Sequence, residues 1–305
     1  MTRPAIQLYT VRDIDESLPE LIRRVAAVGF EGVEFATRVA EADPEAVRDA
    51  LAETGVEPVG AHVDLRAIEA DFDGVAERYR TLGVSRLAIP HLPPTHYRTP
   101  GRVDELAARL NAVGSALANR GLSLVYHNQV HDFLPVERPS FLDRLFTAVH
   151  PHSPGASKVQ TGLGLLGDRA LRATASPPTP AASVESTAYG RLVRRTSPEA
   201  VSFEVDVGGV TAAGYDPADV IDFVGDRASL VHMKDVVVDD DPGPLASARS
   251  TNPGRGLVDF PGAARAAERN GIDWLVFEHD HPEDPVATLR AGIDSLTEAT
   301  DTVHL

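Results

Sequence analysis

Cysteine is absent from this 305-residue chain. That excludes disulfides and thiolate metal sites, so any metal must be held by oxygen and imidazole ligands. Lysine is nearly absent too: of 29 basic residues only Lys158 and Lys234 are lysines, and the other 27 are arginines. Aromatic residues make up 6% of the chain, with a single tryptophan. No run of about 18 apolar residues occurs, which excludes a membrane-spanning helix. The start, Met1 to Tyr9, moves into a strand-like pattern at once, with no apolar stretch of the secretory kind. A cytoplasmic location is therefore expected.

Positive charge is in short supply. The net charge is −16, and such a surface repels nucleic acid phosphates. No nucleic acid and no membrane is expected as a partner. The same balance suits a chain kept soluble in high salt, so a halophilic source is the matching expectation. Nothing in the pattern opposes a homo-oligomer. Hydrophobic residues reach 43%, enough at this length for a sizeable core.

What is present is a regular alternation. Strand-like runs cover 5–9, 32–35, 57–63, 86–90, 122–128, 202–207, 230–234 and 274–277. Between them lie amphipathic stretches at helical spacing, such as Leu18, Leu21, Ile22 and Val25. Three of these stretches open on an aspartate followed by proline (Asp43-Pro44, Asp216-Pro217, Asp284-Pro285), a strong helix-start signal. One helix is expected over 67–82 and another over 103–120. Eight strand–helix units imply a parallel sheet with helical cover, and the length fits a single (β/α)8 TIM barrel over 1–305. No Gly-x-Gly-x-x-Gly follows the first strand, which disfavours a dinucleotide fold. One break interrupts the pattern at about 135–187. Rich in Ser, Thr, Pro, Gly and Ala, it reads as a partly disordered insertion after strand five.

Barrel active sites are built at the C-terminal ends of the strands. The polar residues expected there are Glu34, His62, His127, Asn128, Glu204, Asp206, His232, Lys234, Glu278 and Asp280. Three late strands in succession deliver Asp206, His232 and Glu278. Two carboxylates and one imidazole make a hard-to-borderline site for Mn2+, Mg2+, Co2+ or Zn2+.

The motifs in order are Ile6-Gln7-Leu8-Tyr9-Thr10-Val11-Arg12, Gly32-Val33-Glu34, Gly60-Ala61-His62 and Tyr126-His127-Asn128. Then come Glu204-Val205-Asp206-Val207, His232-Met233-Lys234-Asp235, Gly254-Arg255-Gly256 and Glu278-His279-Asp280. The chain resembles the xylose isomerase-like barrel family of sugar isomerases, epimerases and inosose dehydratases, over nearly its whole length except the insertion. The resemblance implies a divalent metal held by Asp206, His232 and Glu278. A fourth ligand follows strand five, where Asp132 stands in place of the usual glutamate and Gln129 in place of a histidine. It further implies a small sugar or cyclitol substrate and proton abstraction next to a carbonyl through an enediolate. In that reading Glu278 is ligand and acid–base group together, with His127 as second proton carrier. Lys234 engages the substrate during catalysis, and His62, Glu34, Asn128 and Arg255 bind it. Two rivals follow from the same residues: a degenerate, non-catalytic sugar-binding barrel, and a phosphodiesterase of the endonuclease IV type.

Overall fold

The computed structural model describes residues 2–136, 183–238 and 248–302. Eight parallel strands close into a barrel in the order β1-β10-β7-β6-β5-β4-β3-β2. They are β1 (Arg3–Gln7), β2 (Gly32–Phe35), β3 (Glu57–His62), β4 (Arg86–Ile89), β5 (Ser123–His127), β6 (Val201–Asp206), β7 (Ala228–Met233) and β10 (Trp274–Phe277). This is the (β/α)8 TIM barrel expected from the alternation.

Closure follows from burial on both faces. Outward side chains such as Val231, Met233, Phe203 and Phe277 pack under the helices, in the large core. Inward ones form a separate small cluster of Ala5, Val59, Leu230, Trp274 and Val276. Side chains alternate along a strand, so two residues beyond these plugs the same face carries Gln7, His232 and Glu278. The barrel interior thus turns from apolar to ionisable toward its C-terminal mouth.

The helices begin where the caps say they should. The side chains of Asp43, Asp216 and Asp284 accept hydrogen bonds from the first-turn amides of the helices Pro44–Thr54, Pro217–Val224 and Pro285–Asp301. The helix expected over 67–82 is two helices, Leu65–Ala70 and Phe72–Thr81. Asp71 ends the first with φ −143° and ψ 67°, and its carboxylate caps the second by accepting from the Gly74 amide at 3.1 Å. Local capping overrides the continuous apolar period there. The long helix after β4 spans Pro100–Ala118, and its Gly114 lies against the residue before β6: a Cβ there would run into the Ala200 carbonyl oxygen.

Two short strands were not foreseen. β8 (Asp235–Val238) leaves the end of β7 directly and pairs antiparallel with β9 (Ala248–Thr251). Residues 137–182 of the expected insertion lie outside the described residues. Its flanks do not: Pro135 bridges Thr187 antiparallel, and the Ala188 amide donates to the Leu134 carbonyl at 3.1 Å. Among the described residues no helix is long and apolar enough to cross a membrane.

Candidate metal and acid–base centre

At the barrel mouth the inward side chains make two stacked layers. The lower layer centres on two buried carboxylates, Glu34 and Glu204, with no exposed surface. Glu204 Oε2 lies 2.9 Å from His62 Nε2 and 2.7 Å from His127 Nδ1. Glu34 Oε2 lies 2.7 Å from His232 Nε2 and accepts from Gln7 Nε2 at 2.6 Å. Glu204 Oε1 is 2.9 Å from the same His232 Nε2, but that nitrogen has one hydrogen, and Glu34 takes it. The outer oxygens of both glutamates are left buried without a hydrogen bond. Glu34 needs Gly60 beneath it, since a Cβ there would sit 2.7 Å from its Oε1.

The upper layer is organised by Lys234. Its Nζ lies 2.9 Å from Asp206 Oδ2, 2.9 Å from Glu278 Oε2 and 3.3 Å from Asp280 Oδ1. His232 joins the layers, because its Nδ1 is 3.0 Å from Glu278 Oε2. Asp206 itself is fixed twice. Its Oδ1 accepts from the Gly209 amide at 2.9 Å, capping the helix Val207–Ala212. Asn128 clamps its backbone, with Oδ1 taking the Asp206 N–H at 2.9 Å and Nδ2 donating to the Asp206 carbonyl at 3.2 Å.

Charge distributes accordingly. Burial works against the charged form of every group here. At Glu204 and Glu278 it is outweighed: His232 and the other imidazoles hold Glu204 well below the carboxylate range, while Lys234 and His232 do the same for Glu278. Glu34 goes the other way, pushed up by burial and by the charge of Glu204. Burial would lower the histidines, but Glu204 and Glu34 lift His232 well above its usual value, and Glu34 with Glu204 lifts His62. Lys234 is lifted well above its usual value by Asp206, Glu278 and Asp280 against the same burial.

Among the described residues, two sets of ligand atoms each fall within 4.8 Å of one another: His62, His127, Glu204 and His232, and separately His127, Asp206 and Glu278. The cluster could therefore hold a metal ion. In the first set most of the ligand atoms are already paired with one another. The second fits a divalent ion better, with two carboxylates and one imidazole, all buried, at the open end of the barrel. The expected trio of Asp206, His232 and Glu278 is thus divided: Asp206 and Glu278 share one set, His232 belongs to the other, and His127 belongs to both.

The remaining expected residues separate clearly. Lys234, His62 and Glu34 are in the centre. Asn128 is beside it, with its amide engaged by Asp206. Asp132 is buried outside both sets: its Oδ2 accepts from Tyr126 Oη at 2.6 Å and from the Gln129 amide at 2.9 Å. Burial pushes its carboxyl up to about 7. Arg255 is exposed on a loop that Asp235 pins by accepting from the Gly256 and Val258 amides at 2.8 and 3.1 Å. Two participants carried no assigned role in the sequence reading, Glu204 and Gln7. Each sits two residues along an inward strand face from another interior residue, and that spacing is the signal that marks them.

No family model matches the chain. A curated inosose dehydratase of Geobacillus kaustophilus is 31% identical over 106 residues, which is 31% of this chain and 34% of that protein. The aligned stretch thus spans about a third of the relative's length. Among solved structures, a sugar phosphate isomerase/epimerase from Parabacteroides distasonis superposes with TM-score 0.64 at 17% identity, over 98% of this chain and 96% of the other. The IolI protein with a bound zinc atom gives 0.67 at 12%, over 99% of both. An AP endonuclease of family 2 from Brucella melitensis gives 0.61 at 14%, over 95% of this chain and 97% of the other. The (β/α)8 barrel fold is shared with these structures and with a xylose isomerase domain protein from Alicyclobacillus acidocaldarius, TM-score 0.63 at 16% identity. At these identities the likeness carries architecture, while chemistry has to come from the centre itself.

Proposed function

We propose that the protein is a divalent-metal-dependent enzyme that moves a proton next to the carbonyl of a small sugar or cyclitol. Isomerase or epimerase and keto-sugar dehydratase are the two outcomes of that chemistry. The observation that carries the reading is the convergence of His127, Asp206 and Glu278 within 4.8 Å at the barrel mouth, beside Lys234. The local likeness to an inosose dehydratase supports a cyclitol or keto-sugar substrate.

A divalent ion bound to His127, Asp206 and Glu278 would polarise the substrate carbonyl and stabilise the enediolate. The rest falls to the chain's own residues. Glu278 is surrounded by cationic groups that favour its ionised form, so its carboxylate can take a proton from the carbon next to the carbonyl. Returning that proton to another face or carbon gives epimerisation or isomerisation. Delivering it to a departing neighbouring hydroxyl gives dehydration. Lys234 presents an ammonium at the mouth for a substrate oxygen. Below, His62 and His232 lie against Glu204 and Glu34, and these contacts keep His232 in a fixed orientation.

The nuclease reading fits poorly with a net charge of −16, because a DNA groove needs a basic surface. Incubating the metal-loaded protein with keto-inositols and 3-keto sugars in deuterated water tests the proposal. Incorporation of deuterium next to the carbonyl supports it. Bound metal without exchange across such a panel favours the sugar-binding reading instead.

A further inference from the structure

We infer that Lys234 is an internal counter-cation that a divalent ion must displace from Asp206 and Glu278, and that Asp280 is the acceptor to which its ammonium moves. The inference rests on the metal-dependent reading above and concerns how the ion is admitted. Asp206 Oδ1 is committed to the Gly209 amide, so Oδ2 is its remaining oxygen, and Lys234 holds that atom at 2.9 Å. Glu278 Oε2 is held at the same distance. The side chains of Asp206, Glu278 and Lys234 are only 3%, 6% and 11% exposed.

Two carboxylates so deeply buried and so close together need a cation between them. In this chain the cation is built in. A divalent ion on His127, Asp206 and Glu278 requires the same carboxylates that Lys234 engages, and two cations packed on those groups would repel. Asp280 offers the way out. Its Oδ1 is already 3.3 Å from the ammonium, and at 36% exposure it lies on the solvent side. The residue type fits the task. Arginine fills 27 of the 29 basic positions of this chain, yet the centre carries a lysine. An ammonium on a flexible stem is a compact charge that can change partners, whereas a guanidinium fork would lock both carboxylates.

The test uses the full-length protein, stripped with a chelator, titrated with Mn2+ by calorimetry and followed by thermal melting. Lys234→Met should bind Mn2+ at least tenfold more tightly than wild type, melt lower without the ion, and gain more in melting temperature when it is added. Lys234→Gln, which keeps a donor but no charge, should behave the same way and serves if the methionine variant fails to fold. Asp280→Asn should bind Mn2+ several-fold more weakly, because the displaced ammonium loses its acceptor. Equal or weaker binding by the Lys234 variants, with wild type binding normally, overturns the exchange and leaves the metal reading standing. Unchanged affinity in Asp280→Asn overturns the acceptor role. Absence of binding in wild type and variants alike removes the metal reading itself, and the exchange with it.

Discussion

Glu34 takes the single Nε2 hydrogen of His232 at 2.7 Å, deep in the barrel. That bond fixes the ring so that Nδ1 faces Glu278 at 3.0 Å. His232 in turn positions Glu278, a carboxylate of the set His127, Asp206 and Glu278, and outer hydrogen bonds of this kind tune the groups that hold a metal.

Replacing Glu34 with glutamine weakens the hold, because an amide can flip and no longer carries charge. Divalent-ion affinity should fall by about 10-fold, the low end for such supporting groups because Glu34 acts through His232, with the barrel still folded. Equilibrium dialysis with circular dichroism on the same sample checks this. Gly60→Ala should reproduce part of the loss without touching a polar group, since its Cβ would press on Glu34 Oε1 at 2.7 Å.

Asp132 gives a pH signature of its own. Its folded carboxyl is raised by burial from an ordinary value of 3.8 to about 7. A raised carboxyl contributes stability that is fully present below pH 3.8 and lost as pH rises through about 7. At about 1.4 kcal/mol per unit, the span is worth up to ~4 kcal/mol. Asp132→Asn keeps an acceptor for Tyr126 and the Gln129 amide. Its melting temperature should exceed wild type at pH 8 and fall more gently between pH 4 and 8. Metal affinity should change less than threefold, as the residue lies outside both ligand sets.

The paired flanks of the insertion lead to a third expectation. Leu134–Val136 and Ser186–Ala188 are hydrogen-bonded to each other, so the chain leaves and rejoins the barrel at one place. Trimming 153–182 to a short glycine–serine linker should shift the calorimetric melting temperature by no more than a few degrees, because closing a loop costs little more when it is long than when it is short. A loss of ten degrees or more would mean that this segment contributes packed core.

Much of this was legible in the sequence. The positions of the eight strands, the Asp-Pro helix starts and the ionisable strand ends follow from period and capping, which act locally. Asp71 was missed because its neighbours keep an apolar helical period across the break. The β8–β9 hairpin was missed because β8 follows Lys234 without a turn and its partner begins at Ala248. The division of Asp206, His232 and Glu278 between two ligand sets was not legible either. It depends on which ring nitrogen faces which carboxylate, and on Lys234 crossing between strands. Neither leaves a trace in linear spacing.

The central claim is that Glu278 moves a proton at a metal held with His127 and Asp206. The most direct measurement is deuterium exchange next to the carbonyl of a keto-inositol or 3-keto sugar, by wild type, by chelator-stripped wild type and by Glu278→Gln, with bound metal determined in each sample. The amide of Glu278→Gln can still donate an oxygen to an ion but cannot accept a proton. The account predicts exchange by the loaded wild type, loss on stripping that is restored by the ion, and a loss of roughly 1,000-fold or more in Glu278→Gln with metal retained. Full exchange by metal-loaded Glu278→Gln, or by the stripped wild type, would contradict it.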